Sequence, residues 1–173
     1  MRVDYTKVIK DLALLDRLSE FDPKLIGTPP LGIGIDSSDI DVACSSSDIS
    51  RFKMSVTDLF GQSEGFRIRE TVLQSVPAVI AGFRSHGWEI ELFCQTTPTN
   101  LQWGVRHFIV EKRLLRLEPR LRKTVVELKQ AGMKTEPAFV KALGLSGEPY
   151  AAVLALEELD DVELMQLIGD SRK

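Results

Sequence analysis

Two hydrophobic periods divide this sequence of 173 residues: a period of two marks much of the first hundred positions, and a period near 3.6 the remainder. Val8, Ile9, Leu12, Leu15 and Leu18 recur at helical spacing, which predicts a helix over 5–20 that stops before Asp22-Pro23. KLIGT (24–28) reads as a short strand feeding a loop stiffened by Pro29-Pro30, and LGIGI (31–35) as an apolar, glycine-rich stretch, extended or partly looped. In DIDVAC (39–44), Asp39, Asp41 and Ala43 share one face of a strand, while Ile40, Val42 and Cys44 share the other. SSSD (45–48) supplies cap residues for a helix over 49–60, whose apolar side is Phe52, Val56, Leu59 and Phe60. No element is assigned to 61–75. VPAVIAGF (76–83) and WEIELFCQ (88–95), joined by a polar turn at 84–87, form a hairpin. After TTPTN (96–100), helices are expected near 101–116, 119–131, 136–143, 149–158 and 160–169, separated by Pro and Gly signals. Strands crowd the first hundred residues and helices the rest, so the expected class is α+β. The expected organisation is a core over 1–100 with a helical part over 101–173 packed on it as one compact unit.

Composition narrows the classes. Hydrophobic residues make up 43% and charged residues 27%, which suits a globular core rather than general disorder. The net charge of -3 argues against a dedicated duplex-DNA binder. Its distribution is uneven: residues 101–141 hold ten Lys/Arg against four Asp/Glu, whereas 142–170 hold seven acidic residues and neither Lys nor Arg. No apolar run approaches the roughly 18 residues that span a bilayer, and acidic positions inside the first amphipathic stretch do not suit a signal peptide. Cys44 and Cys94 have neither metal-knuckle nor redox spacing, so two buried thiols in a reducing, cytoplasmic setting are expected.

GTPPLGIGIDSSDID (27–41) is the stretch with chemical content. Carboxylates two apart on a strand point the same way, so Asp39 and Asp41 suit divalent cations such as Mg2+ or Mn2+. Cations there neutralise a triphosphate and align an attacking oxygen. Gly27 permits close approach of backbone to phosphate, and Thr28 offers a hydroxyl. A third carboxylate from a neighbouring strand completes such a site, and Glu89 and Glu91 share one face of WEIELFCQ. Taken singly, each piece has a plainer reading: Asp-x-Asp as a solvated strand end, Gly-Thr-Pro as a turn, Glu-x-Glu as a wet edge. Their order, with ten residues between Thr28 and Asp39, makes the combination more specific than its parts.

G-T-x-x-L-G-I-x-I-x-x-S-D-I-D resembles the signature of the nucleotidyltransferase superfamily, the fold of polymerase beta, poly(A) polymerases and kanamycin nucleotidyltransferase. Together with ELFCQ, VRHFIVE and MKTEPAFVKALGLSGEPY, it resembles an uncharacterised bacterial branch of that superfamily, a domain of unknown function, over roughly residues 20–155. The resemblance implies a small mixed β-sheet of nucleotidyltransferase type flanked by helices. It implies that Asp39, Asp41 and Glu91 act as catalytic metal ligands, with Glu91 directly before the Leu-Phe-x-Gln segment as the third carboxylate. Gly27, Thr28 and Ser38 would hold phosphates. Thr28 stands where many superfamily enzymes have serine, and two prolines follow it.

The implied activity is Mg2+- or Mn2+-dependent transfer of NMP from an NTP, ATP first, to an unknown small-molecule or protein acceptor, with neither duplex DNA nor a membrane as partner. The alternative is a non-catalytic nucleotide-binding or regulatory module of toxin–antitoxin type. A third reading is a structural oligomer with solvated acidic strand ends. Arg106 and Lys134 are further nucleotide-binding candidates. Against them stand an ion pair within LQWGVRHFIVEKRLL, such as His107 with Glu111, and a helix start with Thr135 as N-cap. Trp88 and Trp103 read as core or rim residues.

Overall fold

The computed structural model describes residues 2–170. They group into two compact units, Met1–Pro29 with Ser38–Val105 and Pro30–Ser37 with Arg106–Lys173.

The first unit is built on a five-stranded mixed sheet of order β1-β2-β5-β4-β3. Its strands are β1 (Lys24–Ile26), β2 (Ile40–Ser45), β3 (Glu64–Leu73), β4 (Val76–Ser85) and β5 (Trp88–Gln95). β2 and β5 run parallel, and every other neighbouring pair is antiparallel. Both hairpin turns are two residues long with positive φ at each position: Gln74 and Ser75 between β3 and β4, His86 and Gly87 between β4 and β5. Such mirror-image turns match the right-handed twist of the strands they join.

Alternation then sorts the sheet into two faces. Ile40, Val42, Cys44, Val79, Ala81, Phe83, Ile90, Leu92 and Cys94 point into one core, covered by α1 (Tyr5–Asp11), α2 (Leu14–Arg17) and α3 (Ile49–Phe60). The Phe60 and Phe83 rings stack at 4.7 Å, and Phe21 meets Phe52 edge-on at 5.1 Å. Asp48 starts α3 by accepting hydrogen bonds from the Ser50 and Arg51 amides, two of the donors a helix start leaves unsatisfied. Cys44 and Cys94 lie opposite each other in register, fully buried. Burial pushes the Cys94 thiol up to about 12 and Cys44 higher still, so both stay protonated and inert.

Three local expectations are corrected. The continuous helix expected over 5–20 is broken at Ala13, whose φ is 46°, into α1, α2 and a 3-10 turn at Ser19–Phe21. The unassigned stretch 61–75 contains β3, a ten-residue edge strand. Strand β2 begins at Ile40, so Asp39 is the residue that leads into it.

The second unit is helical: α4 (Trp103–Leu117, which begins in the first unit), α5 (Leu121–Gln130), α6 (Thr135–Ala142), α7 (Pro149–Ala155) and α8 (Asp161–Asp170). Its core also takes Leu31 and Ile33, both buried, alongside Val110, Leu114, Val125 and Phe139. Thr135 is the first residue of α6 rather than its cap; Lys134 occupies the N-cap position. A polar group lies inside this unit. Glu111 is buried with one carboxylate oxygen unpaired, and Lys129, also buried, donates to the Ile33 carbonyl at 3.0 Å.

Burial first, and Glu136 second, raise the Glu111 carboxyl well above its ordinary 4.5, against a downward pull from Lys129. The stability that the protonated form contributes is full below the unfolded value and falls as pH climbs through the raised folded one. Glu111→Gln stays neutral and should flatten this slope. Denaturant unfolding between about pH 4 and 8 should show the wild type losing stability relative to the variant as pH rises. Parallel curves would mean that Lys129 compensates the charge completely.

Candidate active site

The face of the sheet opposite its core carries the polar residues. Asp41 of β2 and Glu91 of β5 are direct partners in the parallel register, and Glu91 is in turn opposite Gly82 of β4, which faces Arg67 of β3. Neighbouring strands lie about 4.8 Å apart, so Asp41 and Glu91 stand side by side. Gly27, Thr28, Ser38, Asp39, Asp41 and Glu91 all belong to this first unit, whereas Arg106 and Lys134 belong to the second.

Close approach explains the glycine. Gly27 has φ +81°, and a Cβ there would lie 2.2 Å from Asp41 Oδ2. The Gly-Thr turn therefore rests its backbone directly on the Asp41 carboxylate, which only glycine allows. Thr28 Oγ1 and Ser38 Oγ are 2.9 Å apart and tie together the two ends of segment 29–37. Arg2, which the sequence reading passed over, buttresses the same place. It donates to the Ser38 carbonyl at 2.8 Å and the Gly87 carbonyl at 3.0 Å, with its guanidinium 4.2 Å over the Trp88 ring.

Asp39 and Glu91 are half-buried, and burial is the leading reason that both carboxyls are raised above their ordinary range. Negative neighbours add to it: Glu89 acts on Asp39, and Asp39 on Glu91. Arg2 and Arg67 pull Asp39 down, and Arg69 and Arg67 pull Glu91 down. Glu89 behaves differently. Burial raises it, yet hydrogen bonds from Arg67 and Arg84 outweigh that and leave it lowered. Its carboxylate pairs with Arg67 and, at 3.1 Å, with Arg84, so it is a structural anchor rather than the solvated group that its place near the turn suggests.

Among the described residues, no three His, Cys, Asp or Glu side chains converge on one point as a ready metal cage. The Asp41–Glu91 pair with Asp39 beside it is instead an open, oxygen-only donor set. That fits Mg2+, which takes one or two carboxylates and fills its octahedron with waters and substrate phosphates. Cations there would also relieve the repulsion that raises Asp39 and Glu91.

Arg106 donates through Nε and Nη2 to Glu157 Oε2, at 2.8 and 2.6 Å, and this hydrogen bond is the main reason its own proton is held more tightly. His107 Nε2 is 2.8 Å from the Tyr150 carbonyl. Trp88 is buried and Trp103 exposed, as core and rim residues. The Arg106–Glu157 pair is only partly shielded from solvent, so Arg106→Ala should cost about 0.5–1 kcal/mol. Calorimetry should then show melting roughly 1–4 °C lower, and Glu157→Gln should reproduce the fall. An unchanged melting temperature with weakened nucleotide binding would instead give Arg106 the phosphate-binding role.

The missed residues of this face are Arg67 and Arg69. Their alternation with Phe66 and Ile68 was the available signal.

A family model described as Domain of unknown function (DUF4269) matches residues 7–156. No curated protein matches the chain at a significant level. Solved structures do. The Cid1 poly(U) polymerase bound to MgATP superposes with a TM-score of 0.56 at 13% identity, over 87% of this chain and 47% of that one. Its Mg 3′-dATP complex matches with a TM-score of 0.56 at 16% identity, over 86% and 46%. The GLD-2/RNP-8 complex matches with a TM-score of 0.50 at 15% identity, over 88% and 56%. The chain thus spans about half the length of the structures it resembles, and it has the nucleotidyltransferase fold.

Proposed function

For a chain that belongs to the family described as Domain of unknown function (DUF4269), we propose a metal-dependent nucleotidyltransferase activity: transfer of NMP from an NTP to a hydroxyl-bearing acceptor. The observation that carries this reading is the row Asp41–Glu91, with Gly27 pressed against Asp41, on the face of the sheet opposite its core. Asp39, Asp41 and Glu91 are assigned to hold divalent cations, which would neutralise the triphosphate and lower the charge that the attacking oxygen meets. Gly27 and Thr28 bring backbone and hydroxyl to the phosphates, with Ser38 positioning Thr28. The acceptor oxygen attacks the α-phosphorus, the α–β P–O bond breaks, and pyrophosphate departs. Glu91 takes the acceptor's proton, a task open to a carboxylate within hydrogen-bond reach of the acceptor hydroxyl. ATP is the first donor to test, and Mg2+ or Mn2+ the first metals. Arg106 and Lys134 contribute to nucleotide binding on this reading only if Arg106 exchanges its Glu157 pair for a phosphate.

The test is incubation with each labelled NTP, Mg2+ or Mn2+ and a cell extract, followed by assay for pyrophosphate and a nucleotidylated product. Product from wild type and none from Asp41→Asn is expected. Without product, calorimetry with Mn2+ and a non-hydrolysable ATP analogue decides the next step. Binding that Asp41→Asn abolishes indicates a non-catalytic nucleotide module; equal binding by both removes the metal reading.

A further inference from the structure

Beside Glu91 the same face of the sheet holds a cavity of about 250 Å³ lined by Arg67, Ile68, Arg69, Ile80, Gly82 and Glu91. We propose that Arg67 and Arg69 make this cavity an anion site for the acceptor, and that the acceptor is a small phosphate ester with a free hydroxyl. The proposal rests on the nucleotidyltransferase reading in one respect, the role of Glu91 toward that hydroxyl.

The cavity is made by particular choices of residue. Gly82 sits opposite Arg67 in the β3–β4 ladder, and a Cβ there would come within 2.7 Å of the Arg67 guanidinium carbon. Glycine thus lets the Arg67 guanidinium lie close over the sheet, although the side chain as a whole stays exposed. Glu89 holds it there and is itself held by Arg84. Arg69 is two residues further along the same face and, among the described residues, makes neither a hydrogen bond nor an ion pair. Glu89 offsets the Arg67 charge, whereas Arg69, about 7 Å away on the same strand face, keeps its guanidinium donors open to an anion that Arg67 can share.

The guanidinium fork matches phosphate oxygens in a bidentate way. The small volume suits a phosphate with a sugar-sized body better than a large ligand. Solvated arginines that merely blunt an exposed edge are the plainer explanation of charges on such a strand, but that role requires neither a glycine beneath one guanidinium nor a carboxylate anchor.

Calorimetry with ribose 5-phosphate and with ribose as probes tests the site in the absence of divalent metal. Ribose 5-phosphate should bind at least about tenfold more tightly than ribose, and Arg69→Gln should erase the difference. Arg69 makes neither a hydrogen bond nor an ion pair among the described residues and only a longer-range attraction to Glu91, so the variant should melt close to the wild type. Its binding of Mn2+ with a non-hydrolysable ATP analogue should stay within about twofold. Three results would each overturn the proposal: equal binding of the two probes, wild-type binding of ribose 5-phosphate by Arg69→Gln, or displacement of ribose 5-phosphate by the ATP analogue. Failure of wild type to bind the ATP analogue would instead strike the Asp39–Asp41 reading, and the phosphate-ester measurements would still decide the arginine site.

Discussion

Glu91→Gln is expected to abolish nucleotidyl transfer, while Glu89→Gln retains activity, reduced at most through looser Arg67, and loses stability. The two residues lie on the same face of β5, and what separates them is their neighbours. Glu91 is in register with Asp41, so it is the carboxylate that can share a cation and a substrate with β2. Glu89 is in register with Arg84 and pairs with Arg84 and Arg67. Replacing Glu91 by its amide removes a charged oxygen donor and a proton acceptor together, and loss of such a group costs on the order of 10²–10⁴-fold in rate.

Replacing Glu89 removes two ion pairs that are partly open to solvent, a loss of about 1 kcal/mol. The sign with pH follows from its lowered carboxyl. Its contribution is present above the unfolded value of 4.5 and is lost as pH falls through the folded one. The stability gap between wild type and Glu89→Gln should therefore close in acid. A pyrophosphate assay and urea unfolding on both variants check the pair. Activity in Glu91→Gln alongside none in Glu89→Gln would reassign the third carboxylate.

Gly27→Ala should be comparably damaging by a different route. The added methyl carbon would sit 2.2 Å from Asp41 Oδ2, far inside contact distance, so turn and carboxylate must separate. A shift of about 1 Å in reacting groups can cost roughly 10²-fold in rate, and metal-dependent nucleotide binding should weaken with it. The positive φ adds roughly 1–2 kcal/mol of backbone strain for any L side chain, a loss of several degrees in melting temperature. Gly132 separates the two effects. It also has positive φ, +95°, but a Cβ there would meet nothing within 4 Å. Gly132→Ala should lower the melting temperature and leave nucleotide binding intact. If both variants bind the Mn2+–ATP analogue normally, the Gly27–Asp41 approach does not matter to the site.

Several elements of this chain were determined by the sequence itself. The 49–60 helix has its bounds and its Asp48 cap written within a dozen residues, and the alternation of 39–44 and 88–95 marks both strands of the parallel pair. These features depend on side-chain period, capping groups and turn residues, all of which act between near neighbours. Where the local signal is ambiguous, sequence reading stops. Strand β3 was illegible because Glu70 interrupts its apolar alternation and its hairpin turn is Gln74-Ser75, without the glycine or asparagine that usually supplies positive φ. The break at Ala13 has no proline or glycine to announce it.

Tertiary structure alone decided the rest. It set the register of Asp41 against Glu91, which strand alternation left open between Glu89 and Glu91 although the resemblance singled out Glu91, laid Arg67 over Gly82, pressed Gly27 on Asp41, and drew Leu31 and Ile33 into the helical core although the strands flanking them belong to the other unit. Each of these is a contact between residues distant in sequence, or a register between strands. A register depends on which whole strand packs against which, and a slip of two residues leaves the same faces buried and the same local pattern in the sequence.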